Sequence, residues 1–594
     1  MSEINATVVA AQLAEFTATY TYGLNTAWLI ITGTGILMMQ AGFMALEVGA
    51  TRAKNVKATL FKNIIDHAIG AVAWYCVGFS LFLGDHYFAA GTDVTWFNHY
   101  EFEFPRIFQQ YGFAVTSSTI VSGALLSRCR LRVYVGFSLL LALYIYPIVA
   151  HWCWVSGGFL YKLGYLDFAG SGVVHLLGGM CAMVGAMACG PRVGRFHTGE
   201  SERSRSESFN PLPETPTRPL RYRIVDRLCC KAKFMYKFVD VIALQSDLLP
   251  RDQPGHSAPM QCLGALMLYV AWFSFNAGSS GGLETIEKAT MASRAAINTM
   301  LAAGAATVTA LFWSDMVRKQ YEIDLVVNGL LSGMVAVTAP CGYCEPWAAI
   351  AIGVLSIPVY VYSSKFVLYG LNIDDPIDAS SVHCANGALG VIWTGLVDIN
   401  SGLFYSGSPY LLGVQCLGVV CIAAWGFVNA FVYFYGLKAI VPRLLCCFEG
   451  SDEDSLKENS IVHSPDAQLV GLDFLYFGGS GFPEFDVEAV SEYNATQRIK
   501  EKFRAKKIKT MRIFDREAPE GSEHGGKHFS ARLSFNRSST HLLGTSHPPT
   551  PTGSQPNTPR GSTMPKRPSE QTLFVDAQMF VVNNPANDED DGKD

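Results

Sequence analysis

A run of about twenty apolar residues without charge can satisfy its backbone inside a bilayer only as a helix. This chain holds about eleven such runs on a window of roughly nineteen residues. They lie at Thr26–Val48, Ile64–Leu83, Gly112–Leu126, Val133–Trp154, Phe168–Gly190, Met260–Gly278, Ala289–Trp313, Leu325–Ala339, Trp347–Val367, Val382–Val397 and Tyr410–Leu437. The expected fold class is therefore an all-α polytopic membrane protein, with the lipid bilayer as a partner and no nucleic acid. Composition agrees: 16% of the 594 residues are charged, against about 25% in an average soluble domain, and mean hydropathy is +0.21. The fifteen Cys are mostly scattered singly along apolar segments, where Cys acts as a small buried hydrophobe rather than as part of a disulfide framework. Met1–Tyr20 lacks a basic region followed by a compact apolar core, so the first span is expected to act as the targeting signal.

Lys and Arg in short loops set the direction. Arg52, Lys54 and Lys57 follow the first span, Arg128, Arg130 and Arg132 the third, and a long basic loop the fifth, which makes these loops cytoplasmic. Residues 85–106 carry Asp85, Asp93, Glu101 and Glu103 and are expected outside. An odd number of spans then gives an extracellular N-terminus (1–25), a membrane domain (26–437) with a long cytoplasmic loop (191–256), and a cytoplasmic, largely disordered regulatory tail (438–594). The Asn5-Ala6-Thr7 sequon becomes usable; those at Asn494 and Asn536 do not. The loop holds Arg221, Arg223, Arg227, Lys231, Lys233 and Lys237, which read as a solvated linker or as a lipid-facing patch. The tail holds Ser464-Pro, Thr550-Pro and Thr558-Pro pairs for kinases acting on it, and an island at Val470–Phe485 suited to docking on the membrane domain. Arg498–Arg512 is basic and amphipathic, read first as a solvated helix.

Two spans carry a histidine at membrane depth, where an ionisable residue needs a reason. Around His175 and His383 the layout repeats: an Asp eight positions before, Val directly before, Gly four positions after. Matching segments in two halves of a membrane chain suggest two pseudo-symmetric halves of five helices plus a final helix, with a site where the halves meet. The two histidines are read as one site. Alone, either would be an ordinary hydrogen-bonded core residue.

Five motifs in order resemble the ammonium transporter family (Amt/Mep/Rh), nearest its plant-like Amt branch: Asp167-Phe-Ala-Gly-x-x-Val-Val-His175, Gly190-Pro-Arg-x-Gly-Arg195, Trp272-Phe-x-Phe-Asn-Ala-Gly-Ser279, Glu345-Pro-Trp-Ala-Ala349 and Asp378-x-x-x-x-His383. The resemblance covers about Ala27–Leu437. It implies a homotrimer in the plasma membrane, or in an intracellular vacuolar-type one, with an ammonium/ammonia pore in each subunit and no cofactor or metal. It also implies that Trp154 is the vestibule tryptophan, Ser279 the hydroxyl accepting from the cation, Phe113 and Phe275 the stacked gate, and His175 with His383 the twin-histidine pair. Asp167 and Asp378 are expected to be structural helix caps, Asp167 also shaping the cation site through backbone carbonyls.

The physics of the cargo points the same way. Ammonium and K⁺ are similar in size, but only ammonium donates directional hydrogen bonds and can shed a proton. Two departures stand out: Gln109 replaces a vestibule aromatic four positions before Phe113, and Phe477-Gly478 replaces a His-Gly after Val470-Gly-Leu-Asp473. Cys341 and Cys344, in an outside loop, could pair on oxidation but offer no zinc site. The alternatives to ammonium transport are an Rh-type neutral gas channel and an ammonium sensor signalling through its tail. An enzyme is the weakest reading, because no nucleophile, paired carboxylates or metal-ligand cluster accompanies the histidines.

Overall fold

The computed structural model describes residues 6–84, 103–198, 248–449, 461–479 and 481. The expectations for Asn5, Asn494, Asn536, most of the 85–106 loop, Arg221–Lys237 and Arg498–Arg512 fall outside these residues.

Each of the eleven apolar runs is helical. We label them α1 (Ala6–Ala50), α2 (Val56–Ala73, continuing to Leu83), α3 (Phe104–Ala124), α4 (Leu131–Leu140, continuing to Trp154), α5 (Ser171–Cys189) and α6 (Ala258–Gly278). The rest are α7 (Ile286–Trp313), α8 (Ile323–Val337), α9 (Pro346–Lys365), α10 (Ser380–Ala385 continuing through Asn386–Val397) and α11 (Tyr410–Glu449). Eight are long and apolar enough to cross a membrane by themselves, whereas α3, α8 and α10 are shorter or more polar.

Burial explains the polar one. Helix α3 is enclosed from Tyr111 to Leu126, and its hydroxyls find partners inside the protein rather than in water. Ser118 and Thr119 donate to Asp66 of α2 at 2.5 and 2.8 Å, and Ser122 donates to Glu47 of α1 at 2.8 Å.

Helix α1 begins at Ala6 rather than Thr26. Its 45 residues amount to about 68 Å of helix, against a hydrocarbon core of about 30 Å. Hydropathy marks only the part that lipid solvates; Ala-Ala-Gln-Leu-Ala-Glu at residues 10–15 keeps the helix going where hydropathy falls. The first helices of the two halves, α1 and α6, lie against each other through small residues. A Cβ on Gly264 would stand 2.4 Å from the backbone N of Leu46, and one on Gly42 would be 2.8 Å from Leu268. Such contacts suit a medium in which packing, not hydrophobicity, joins helices.

The described part is not wholly helical. Phe196–Thr198 and Leu248–Pro250 pair antiparallel as a short ribbon that clasps the two ends of the long loop. Beside it, the arginines of the Gly190–Arg195 motif have a structural use. Arg192 grips Asp374 through both Nε and Nη2 at 2.8 Å, and Arg195 Nε approaches the same carboxylate at 3.2 Å. Burial pushes the Asp374 carboxyl upward, but the Arg192 hydrogen bonds and the charges of Arg192 and Arg128 win, leaving it at about 2.

The tail docks on this same face. The amide N–H of Arg130 donates to Ile461 O, and that of His463 to Arg128 O. Farther on, the Asp473 carboxylate accepts from the amides of Lys57 and Ala58 at 3.0 and 2.8 Å, capping the N-terminus of α2. Among the described residues docking is already present at Ile461, ahead of the island expected from Val470; a backbone pairing of three residues leaves no compositional trace.

Candidate functional site

Helices α5 and α10 each open with six residues of widened helix, Ser171–Leu176 and Ser380–Ala385, and each widened turn carries one of the histidines. Widened turns of this kind concentrate at functional sites. The glycines of the repeat then bring the two helices together reciprocally. A Cβ on Gly179, four residues past His175, would lie 2.3 Å from the backbone N of Cys384; one on Gly387, four past His383, would lie 2.8 Å from that of Leu176. Each glycine therefore meets the residue directly after the opposite histidine, and only a missing side chain permits that approach.

The result is a pair of stacked imidazoles with centroids 5.3 Å apart and planes 16° from parallel, joined Nδ1 to Nδ1 at 3.3 Å. Sharing that contact requires one Nδ1 to carry the proton and the other to present its lone pair. The accepting neutral ring must then carry its proton on Nε2, while the donating ring has a bare Nε2. The pair thus offers one donor and one acceptor at its outer nitrogens. His175 Nε2 has no protein partner among the described residues.

Apolar rings surround the pair. Trp272 stacks on His175 at 5.0 Å and 13°, Phe275 lies 5.6 Å from His175, and Phe43 lies 6.0 Å from His383. Trp272 is a site residue that the sequence reading left unassigned. Its place three residues before Phe275 on α6, hence on the same face, was the available signal.

Phe275 leads outward. It touches Phe113 at a centroid distance of 4.4 Å, and Phe113 meets Trp154 edge-on at 5.9 Å. Above this step opens a cavity of about 380 Å³ whose walls include Gln109, Phe113, Trp154, Asp167, Ser279 and Tyr343. Trp154 Nε1 donates to the Asp167 carbonyl at 2.7 Å, which fixes the indole plane. The Ser279 hydroxyl donates to Phe275 O at 2.9 Å, so its proton is committed and its lone pairs remain for a donor.

The two expected aspartate caps behave differently. Asp167 caps the widened turn of α5, accepting from the amides of Gly170, Gly172 and Val173 at 2.8–3.0 Å. Asp378 does not cap α10 with its side chain. That work falls to Asp375, which accepts from the Ser380 amide and hydroxyl at 2.7 Å. Asp375 is the residue eight before His383, so the repeat, rather than the Asp378-x-x-x-x-His383 motif, marked the cap. Asp378 has φ +56° and accepts instead from Tyr360 and Ser364 of the α9 helix at 2.8 and 2.9 Å. It borders a second cavity of about 120 Å³ shared by Leu46, Gln253, Gln261 and Asn328. Cys341 and Cys344 are both buried free thiols, and their carbonyls accept from Asn298.

Comparison with known proteins adds an independent line. The profile of the Ammonium Transporter Family matches residues 27–210 and 248–460. Ammonium transporter 3 of Dictyostelium discoideum is 32% identical over 426 residues, covering 69% of this chain and 87% of that protein. Ammonium transporter Amt2 of Archaeoglobus fulgidus is 31% identical over 482 residues, covering 77% and 88%. Among solved structures, one described as a sensor Amt protein superposes with a TM-score of 0.61 at 26% identity, over 77% of this chain and all of that one.

Proposed function

The chain belongs to the ammonium transporter family, and from that premise we propose that each subunit carries ammonium by the route Trp154, Phe113, Phe275, His175, His383. The observation that carries this reading is the unbroken succession of ring contacts from vestibule to histidine pair within one chain.

Ammonium enters the vestibule, where the Trp154 face attracts it by about 0.5–2 kcal/mol and the Ser279 lone pairs accept one N–H. Below Phe113 the walls are rings, and an unpaired cation in such surroundings costs tens of kcal/mol by Born solvation. The cation therefore gives up one proton to the bare Nε2 of the histidine pair and continues as ammonia; the shared Nδ1 proton shifts across in turn and the second ring releases its own Nε2 proton. Inside, the histidine pair receives ammonia with one donor and one acceptor, and its shared Nδ1 contact supplies a relay for the released proton. K⁺ has no proton to lose and stops at the rings. Asp167 and Asp378 hold the ends of this path in shape.

The assembly is read as a homotrimer in the plasma membrane, with the tail beyond Lys438 cytoplasmic and open to kinases. The test is ammonium, methylammonium and K⁺ flux, with current recorded alongside uptake, in oocytes or in yeast lacking its own ammonium transport. Ammonium uptake with matching current supports the relay. Uptake without current favours the neutral Rh-type mechanism, and no uptake refutes the reading.

A sensor reading has one observation behind it, the tail seated on the loops after α1 and α3. Truncation that leaves uptake intact but abolishes a cellular response to ammonium would favour it.

A further inference from the structure

The vestibule residue that sets this chain apart, Gln109, is held in one orientation. It sits on α3 one turn before Phe113, is only 3% exposed, and borders the outer cavity. Its Nε2 donates to Gly278 O at 2.8 Å and to Thr32 Oγ1 at 3.2 Å. Both partners can only accept here. Gly278 offers a carbonyl, and the Thr32 hydroxyl has its own proton committed to Trp28 O at 2.7 Å. The amide therefore cannot be turned over, because its oxygen would then face two acceptors. Fixing the nitrogen on the α1 and α6 side leaves Oε1 as the atom Gln109 presents to the cavity.

Of the other polar groups around that space, the Gln110 Oε1 and the Tyr165 hydroxyl are buried without a partner among the described residues, while the rest have commitments of their own. The Asp167 carboxylate is taken by three backbone amides, and the Trp154 N–H by a carbonyl. The Arg106 guanidinium lies over the Phe82 ring at 5.4 Å. Ser279, the residue after Gly278, presents lone pairs. Gln109 and Ser279 thus offer two acceptors in the cavity that the Trp154 indole also lines.

We infer that Gln109 is a ligand of the recruited cation, its Oε1 accepting one N–H, and that it biases the vestibule toward ammonium and against alkylated ammonium ions. This rests on the transport reading above. An aromatic ring at this position would accept an N–H edge or a methyl group with little distinction, as aromatic cages do for methylated cations. A fixed amide oxygen does distinguish them. Facing a methyl, it is left desolvated without a donor, so methylammonium is confined to the orientations that turn one of its three N–H groups to the oxygen, whereas ammonium meets it in every orientation.

The test uses the full chain and compares ammonium with methylammonium in Gln109→Leu and Gln109→Phe, with surface expression measured. Gln109→Leu is expected to raise the half-saturating ammonium concentration about tenfold while changing that for methylammonium much less. Gln109→Phe is expected to raise it for ammonium and lower it for methylammonium, inverting part of the preference. A purely structural role would move both substrates together, so an unchanged ammonium-to-methylammonium ratio in both variants overturns the inference. A wild type that carries neither substrate overturns the transport reading, and this inference with it.

Discussion

Two imidazoles that share one proton cannot both be positive, and that constraint governs what each substitution at the pair should do. In His175→Asp a carboxylate replaces a neutral ring between Trp272 and Phe275 and can balance a dehydrated cation electrostatically. K⁺ should then be admitted, and the advantage of ammonium over K⁺ in current recordings should fall about tenfold or more. His383→Ala removes the partner without adding charge, so flux should drop while K⁺ stays excluded. Unchanged selectivity in the first mutant together with normal flux in the second would return both histidines to a packing role. The gate is separable in the same way. Phe275 is fully buried against Phe113, whereas Phe273, two residues away, meets Tyr269 edge-on at 5.2 Å and is half-buried on another face of α6. Phe275→Ala should change ammonium uptake or selectivity several-fold and Phe273→Ala hardly at all; equal effects in well-expressed mutants would count against the assignment. The histidine pair was legible because its surroundings repeat. The anchoring of Gln109 was not, since its partners Thr32 and Gly278 are 77 and 169 residues away in sequence.

Among the elements, the docked tail segment has a pH dependence that can be derived. His463 lies in the docked tail segment, bonded to the Tyr476 hydroxyl at 2.7 Å. Burial, aided by the Arg130 charge, lowers its titration from 6.5 to about 4. A group whose value is depressed in the docked state supports docking above its free value and withdraws that support as pH falls toward the docked one. Docking should therefore be firm above about pH 6.5 and loosen progressively toward pH 4. Protease cutting within residues 461–479 should be slow at pH 7.5 and faster at 5.5, and His463→Gln should flatten the difference. Asp473→Ala removes the cap from α2 at a cost of about 1–2 kcal/mol, so the segment should be cut readily at either pH; resistance of Asp473→Ala to cutting at pH 7.5 would show that the cap does not hold it. The spans themselves were legible from hydropathy and the widened turns were not, because a change in helical pitch depends on how α5 and α10 cross rather than on any local pattern.

For the whole molecule, the side on which each terminus lies follows from charge and from contact, which are independent of one another. We propose from the Lys and Arg excess that the loops after α1, α3 and α5 lie on the cytoplasmic side. The tail segment touches all three: Asp473 binds the amides of Lys57 and Ala58, His463 pairs with Arg128, and Gln468 accepts from the Val193 amide. One docked segment cannot reach loops on opposite faces of a bilayer, so these loops and the start of the tail share a side. With eleven helices between them, the proposed topology puts the N-terminus on the other. A tag at residue 2 should therefore bind antibody on intact cells, and one after Asp594 only once cells are permeabilised. In a glycosylating host, Asn5→Gln should abolish a glycosidase-sensitive mobility shift, while Asn494→Gln and Asn536→Gln leave it intact. If the residue 2 tag needs permeabilisation, either the span count is even or the charge bias has been misread, and the outward-facing vestibule around Trp154 would have to be assigned to the cytoplasmic side.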